Sequence, residues 1–470
     1  MQISKRKLKK NRGRPMSSTN RIPKPKLGKS FLESLTSSNS SKASGVRESR
    51  IDWVTIILYL LIIGIGWANL YSTSMEAGTG VFDMHTHHGK EALFILIGIG
   101  AGVVILFLDT KFMEYISYIF YGLTIFALLA VLMMSKVGGA SSWFAVGGFK
   151  LQPTEFAKVA TVMALAKYMS RFNFSLSRTK DFLIAGGILA LPSILVILQN
   201  DAGSALVFAG LVLMFYREGL HPIYLIAMVV LGAIGVTAIV ISTTPNANLV
   251  LAIVIGLVTV VSLAGLAYFK VIQRLRLVLI ILGIGAILST VAIIVPSLVK
   301  PHHSARLRVL FASESARYKD KDLKKVYYNL RESLVAIGSG GLTGKGYGNG
   351  THTRGDFVPE EHTDYIFCVV GEEHGFVGSS VVLLLFLVLL GRILYVAENA
   401  KSHYARVYGY GIASIIFMHV FINVGMTIGL LPTVGIPLSF YSYGGSSVIA
   451  FTLMLFILMN HYSYRLNILN

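Results

Sequence analysis

The chain has 470 residues, 54% of them hydrophobic and only 14% charged, with a formal net charge of +19. That balance excludes an ordinary soluble domain and is usual for a chain embedded in lipid. The charge is uneven, since residues 1–50 hold 14 Lys and Arg against Glu33 and Glu48, a net of +12.

This tail, rich also in Ser and Pro, offers little apolar surface to offset chain entropy, and 1–50 is expected to be a disordered basic cytosolic segment. Its cations suit anionic lipid headgroups, at about 1 kcal/mol each. Nucleic-acid binding through the basic run at 5–10 is the weaker reading, and no nucleic-acid partner is expected. The tail is too long for the start of a signal peptide, and the apolar run after it is too long for a signal core. The first span is therefore expected to stay in the mature protein. Cys368 is the only cysteine, which leaves no intrachain disulfide and no redox clue to compartment.

Apolar runs long enough to cross a bilayer predict about twelve helical spans in a membrane domain over 51–470. They fall at 53–71, 93–108, 115–134, 156–168, 182–198 and 202–215, then at 223–241, 249–268, 277–295, 377–396, 407–430 and 448–459. Basic residues gather in alternate short loops, as at Arg171, Arg178 and Lys180, Arg217, Lys270 and Arg274, and Lys401 and Arg406. The positive-inside rule then places both termini in the cytosol. The long loop at 296–376, between spans nine and ten, falls outside. It is also basic, but loops of that length are translocated with little regard to charge. Within it Leu323, Val326, Tyr327, Leu330, Leu334 and Ile337 recur at helical spacing. That face either lies on the membrane surface or packs on the rest of the loop.

The same loop carries the glycine-rich run 338–346 (GSGGLTGKG) and the acidic run 357–364 (FVPEEHTD). A polar, flexible segment at the edge of a lipid-embedded scaffold is where chemistry or transport is expected. The topology puts Trp143, Gln152, Glu155, Asp201, Lys345, Glu361 and Asp364 on the outer side, although they are scattered over half the chain. Polar groups near span ends commonly line a shared cavity.

Asp364 stands where the loop turns apolar, so partial desolvation would raise its pKa towards that of a working base. The competing reading, favoured by spacing alone, is that Thr363 or Asp364 caps a helix. Glu155 and Lys158 can meet on one helical face. Asp201 reads most simply as a helix cap. His419 and Asn423, one turn apart, read as an interhelical hydrogen-bonding pair.

Glu372 and Glu373 could contribute to a cation site, but adjacent residues on a helix point apart. His85, His87 and His88 lack companions at metal-ligand spacing and read as a solvated loop. Gly344-Lys345-Gly346 departs from a phosphate-binding loop, so no nucleotide is expected. Gly and Pro are dense over 425–447, which marks irregular backbone at membrane depth, tolerated only where protein or a cavity covers it.

These residues resemble the SEDS family (shape, elongation, division and sporulation), most closely its elongation type. The match runs from about Asp52 to the C-terminus. It is dense at Trp143, at 151–158 (LQPTEFAK), 200–205 (NDAGSA), 336–346, 357–364 and 429–447. The resemblance implies an all-α polytopic fold with a ten-helix core, to which the spans at 223–241 and 249–268 look added as a pair. It implies a peptidoglycan glycosyltransferase in the cytoplasmic (inner) membrane of a bacterium, with its active site on the outer face. The enzyme would polymerise lipid II and release undecaprenyl diphosphate.

Carried over position by position, Asp364 matches the essential aspartate and would act as general base. That implication reverses the preference for a cap. Trp143, Glu155 and Lys158 match sensitive positions and Asp201 the motif aspartate. Gln152, Lys345, Glu361, His362, Ser442, Gly444 and Gly445 lie in the matching motifs and are expected to bind substrate. Lys345, Lys158, loop arginines or a divalent cation (Mg or Mn) would neutralise the leaving diphosphate. Implied partners are lipid II, an undecaprenyl-linked glycan strand, a class B penicillin-binding protein and other elongation-complex membrane proteins. Ser142 stands where the family usually has Arg, Asn329 and Glu332 where Gln is usual, and Ser439 where proline is common. The alternatives are a flippase for lipid-linked precursors, the division-type paralogue, or a scaffold that activates its partner.

Overall fold

The computed structural model describes residues 52–74, 80–134, 143–146, 149–241, 301–355 and 357–463. Its helices are α1 (Trp53–Thr73), α2 (His87–Phe107), α3 (Thr110–Leu132), α4 (Pro153–Met169), α5 (Thr179–Leu198), α6 (Ala202–Ala209), α7 (Val212–Arg217) and α8 (Pro222–Ile241). After the undescribed segment come α9 (Pro301–Phe311), α10 (Glu314–Lys319), α11 (Lys321–Ser339), α12 (Ile366–Glu398), α13 (His403–Thr427) and α14 (Gly445–Ser463). Among the described residues the one sheet is a short antiparallel hairpin, β1 (Phe144–Val146) on β2 (Phe149–Leu151). The expected all-helical polytopic fold is therefore observed, with this small hairpin added. Ten of the twelve expected spans fall on these helices. Those at 249–268 and 277–295, like the basic tail 1–50 and Ser142, lie outside the described residues.

Seven helices among the described residues are long and apolar enough to cross a membrane: α1, α2, α3, α5, α12, α13 and α14. Their ends follow from capping. Thr86 accepts from the Gly89 amide at 3.2 Å to start α2, and Ser402 from the Ala405 amide at 3.0 Å to start α13. Asp52 precedes α1 and takes both Nε and Nη2 of Arg392 at 2.8 Å, a bidentate clamp between α1 and α12.

Burial is inverted relative to a soluble bundle. Large apolar side chains such as Phe107 (83% exposed) and Phe126 (71%) point outward from α2 and α3, where hydrocarbon rather than water solvates them. The centre is formed by α4, α13 and α14. In α4 every residue except Phe156 and Lys167 is buried, and its small residues Ala157, Ala160, Ala164 and Ala166 let neighbouring helices approach.

Helix α12 is broken at Gly375 (φ 65°, ψ −160°). The glycine-rich run docks against this break. The amides of Lys345 and Gly346 donate to the carbonyls of Glu372 (3.0 Å) and Glu373 (2.9 Å), and those of Phe376 and Val377 donate back to Gly341 and Leu342. A Cβ on Gly340 would stand 2.0 Å from the Gly371 carbonyl oxygen, and one on Gly344 2.1 Å from that of Glu373. The glycines are thus required by backbone contact. They set the glycine-rich run directly against the break in α12.

The amphipathic helix resolves in favour of packing. Leu323 and Leu330 of α11 form a small core with Ala305 and Val309 of α9, with Val326 and Tyr327 against it. Most of the face that a membrane surface would have covered is taken by α9 and, at Ile337, by the body of the bundle, while Leu334 stays 43% exposed.

Candidate active site

At the end of the bundle that carries the 301–364 segment lies a chamber of about 560 Å³. Its walls bring together Trp143, Gln152, Glu155, Asp201, Asp364 and Gly444, all expected at the site, with Asn200, Arg306, Lys325, Glu360, Tyr443 and Ser446. Residues far apart in the chain converge there, and the irregular segment between α13 and α14 adds Val434, Gly435 and Pro437 to the lining.

Asp364 does not cap a helix. The N-cap of α12 is Tyr365, which makes no side-chain capping bond. The turn before it is built on Glu360, whose carbonyl accepts from the amides of Thr363, Asp364 and Tyr365 at 3.1–3.2 Å. Glu360 itself has φ 59°, an uncommon left-handed conformation for a residue with a Cβ. Asn423 of α13 fixes the other side, donating to the carbonyls of Asp364 (2.8 Å) and Ile436 (2.7 Å). Gly435 (φ 73°) completes the seat, since a Cβ there would lie 3.2 Å from Asp364 Oδ2.

The Asp364 carboxyl is thus partly open to the chamber yet set deep beneath surrounding protein. Desolvation pushes its pKa up to about 7; the charges of Glu360 and Asp201 add to the rise and Arg306 opposes it. That is the range of a group that takes a proton at neutral pH.

Asp201 both caps α6 and faces the chamber. Its Oδ1 accepts from the Ser204 amide (2.9 Å), while Oδ2 accepts from Ser204 Oγ (2.8 Å) and Gln152 Nε2 (3.2 Å). Lys158 is buried, and its Nζ donates to Glu155 Oε1 (2.8 Å) and His419 Nε2 (2.9 Å). Because Nε2 accepts, the His419 proton sits on Nδ1, which donates to the Pro437 carbonyl at 2.8 Å. His419 thus bonds across to α4, as an interhelical hydrogen-bonding role requires, while Asn423 reaches out of α13 to the backbone of Asp364 and Ile436. Both brace the irregular backbone at 436–437.

Several expected substrate residues lie outside the chamber lining or are tied up in other contacts. Lys345 is held by Glu372 Oε1 (2.6 Å) and Thr351 Oγ1 (2.7 Å), outside the chamber lining. Glu372 is an organiser, also accepting from the amides of Thr351, His352 and Thr353 at 2.9–3.0 Å. Glu361 is buried outside the lining. His362 meets Thr73 Oγ1 at 3.0 Å, and its carbonyl accepts from the amide of Tyr443, a chamber residue, at 2.8 Å. Ser442 Oγ accepts from the Leu438 amide at 2.8 Å. The Gly444 amide donates to Glu91 Oε2 at 3.1 Å. A Cβ on Gly445 would meet the Phe94 ring at 2.5 Å, so that glycine serves packing.

Arg306, Lys325 and Glu360 were not singled out by sequence. The two cations sit in a loop crowded with Lys and Arg, where no local signal separates inward from outward. Among the described residues no group of three His, Cys, Asp or Glu stands close enough to hold a metal ion.

The fold and chamber define a multi-pass membrane protein with a polar, acid-lined cavity at one end of the bundle. A sequence profile of the FtsW, RodA and SpoVE family, described as "Cell cycle protein", matches residues 52–254 and 236–466, and the chain belongs to that family. Peptidoglycan glycosyltransferase MrdB of Escherichia coli is 30% identical over 346 residues, 73% of this chain and 77% of that protein. Peptidoglycan glycosyltransferase RodA of Treponema pallidum is 29% identical over 425 residues, covering 85% of this chain and 94% of that one. Similar relatives also include proteins named FtsW and Stage V sporulation protein E of Bacillus subtilis. In fold, a chain from a peptidoglycan synthase complex that coordinates polymerisation and crosslinking matches with a TM-score of 0.62 and 23% identity over 88% of this chain and 98% of that one. Thermus thermophilus RodA gives a TM-score of 0.55 and 22% identity over the same shares.

Proposed function

We propose that this protein is an elongation-type peptidoglycan glycosyltransferase that polymerises lipid II, with Asp364 as its general base. The observation that carries the reading is the Asp364 carboxyl, desolvated at the wall of a chamber large enough for a disaccharide, with its pKa raised to about 7. Asp364 takes the proton from the acceptor sugar 4-hydroxyl as its oxygen attacks the anomeric carbon of the growing strand. The bond from that carbon to the diphosphate oxygen breaks, the electron pair leaves with undecaprenyl diphosphate, and the anomeric centre inverts. Trp143, Gln152 and Asp201 line the space where the sugars would sit. Lys158, with Glu155 and His419, holds α4, α13 and the 436–437 backbone in register beneath them.

The chamber opens to the outer face of a bacterial cytoplasmic membrane, both termini lie in the cytosol, and a class B penicillin-binding protein cross-links the product. Naming among the relatives supports the activity, and the fold likeness to a chain of a polymerising and crosslinking complex supports such a partner. The chamber carboxylates form no ready cage for Mg or Mn. A divalent cation would enter with the diphosphate as its counter-ion, and no step is assigned to it.

Reconstitution in liposomes with purified lipid II and the transpeptidase partner tests the reading. Glycan strands are expected. Translocation of labelled lipid II across the vesicle without polymer would instead make the chain a flippase.

A further inference from the structure

A diphosphate leaving group needs cations, and the chamber shares its space with the carboxylates of Asp201, Glu360 and Asp364, which repel an anion. Two basic residues suggested by the sequence are already engaged. Lys158 is buried between Glu155 and His419, and Lys345 is bound to Glu372 outside the chamber. Two others are not engaged. Arg306 of α9 and Lys325 of α11 both line the chamber, and neither forms a hydrogen bond or ion pair with any described residue.

Their neighbours show the contrast. Arg308 pairs with Asp320 at 3.1 Å, and Arg317 donates to the Leu310 carbonyl and covers the Tyr327 ring. Those two basic groups close the α9–α11 hairpin upon itself, while its small core of Ala305, Val309, Leu323 and Leu330 fixes the helices that carry Arg306 and Lys325. The result is a guanidinium and an ammonium carried on one packed hairpin and lining the cavity.

We propose that Arg306 and Lys325 form the diphosphate-binding site of this chain, gripping the phosphates of the lipid-linked sugar and holding them as they leave. The assignment rests on the proposed glycosyltransferase function for its substrate, although the anion site can be tested without turnover. The planar Arg306 fork suits two phosphate oxygens, and Lys325, more exposed, adds a point charge at the mouth. Arg306 has a second effect, because its charge favours ionised Asp364.

The test uses the full chain with its partner in liposomes and the variants Arg306→Gln, Lys325→Gln and, as a control on hairpin integrity, Arg308→Gln. Arg306→Gln should lower kcat/KM for lipid II at least about tenfold, the loss of a charge-assisted hydrogen bond, and Lys325→Gln less. Inhibition by inorganic pyrophosphate should weaken in the same order, and Arg308→Gln should leave it unchanged. Arg306→Gln alone should also move the acid limb of the pH profile upward. Unchanged pyrophosphate inhibition in both chamber variants would overturn the proposal, as would an equal loss in an Arg308→Gln variant that melts like wild type. Calorimetric binding of inorganic pyrophosphate to the detergent-solubilised chain separates the two readings. If wild type makes no polymer but binds pyrophosphate, and the chamber variants do not, the glycosyltransferase reading fails and the site stands. If wild type does not bind pyrophosphate, the site fails too.

Discussion

The desolvation of Asp364 makes a measurable demand on pH dependence. With a carboxyl raised to about 7, roughly a tenth of the base is ionised at pH 6 and nine tenths at pH 8. Polymerisation should therefore rise about tenfold across that interval, far above the range where an exposed aspartate would already be saturated. The sign follows from the base needing its charge: a raised pKa withholds activity on the acid side. Removing the like charge with Glu360→Gln should shift the acid limb to lower pH, so that the variant outperforms wild type at pH 6 relative to its own plateau. The assay is kcat/KM for lipid II in liposomes from pH 5 to 9, with single-turnover reactions confirming that chemistry is observed. A wild-type limb near pH 4, or an unmoved limb in Glu360→Gln, would refute the electrostatic argument.

Other outcomes follow from particular contacts. In Gly435→Ala the new Cβ lies 3.2 Å from Asp364 Oδ2, and the left-handed backbone adds about 1–2 kcal/mol of strain. Polymerisation should fall at least about tenfold with the chain still folded, because small displacements of a reacting group are costly. Asp364→Asn should melt later than wild type at pH 8 and alike near pH 4, since ionising a carboxyl whose folded pKa is raised removes stability as pH climbs from about 4 to 7. Lys345→Met should lower thermal stability through the orphaned Glu372 while leaving KM for lipid II unchanged, because Lys345 does not line the chamber. A raised KM with unaltered melting would contradict that placement.

The spans were legible because hydropathy and loop charge act locally along the chain. The chamber was partly legible for a different reason: topology assigns Trp143, Gln152, Glu155, Asp201 and Asp364 to one face, and polar groups on one face gather in a shared cavity. The roles of the glycine-rich run, Lys345 and Glu372 were not legible. They depend on the loop meeting the break at Gly375 in α12, a long-range backbone pairing that leaves no periodicity in sequence. Nor can spacing tell a cap from a base at Asp364. That distinction rests on the Glu360 carbonyl gathering three amides, which removes the capping role and frees the carboxyl. Arg306 and Arg308 look equivalent in sequence, and only the fold of the α9–α11 hairpin sends one to Asp320 and the other to the chamber.

The most direct test compares lipid II polymerisation by wild type and Asp364→Asn, each reconstituted with the same transpeptidase partner and shown to be folded and bound to it. The substitution keeps the shape of the side chain and removes its basicity. The account requires glycan strands from wild type and none above background from the variant. Equal product from both would contradict a base at Asp364 and move the polymerising activity to the partner.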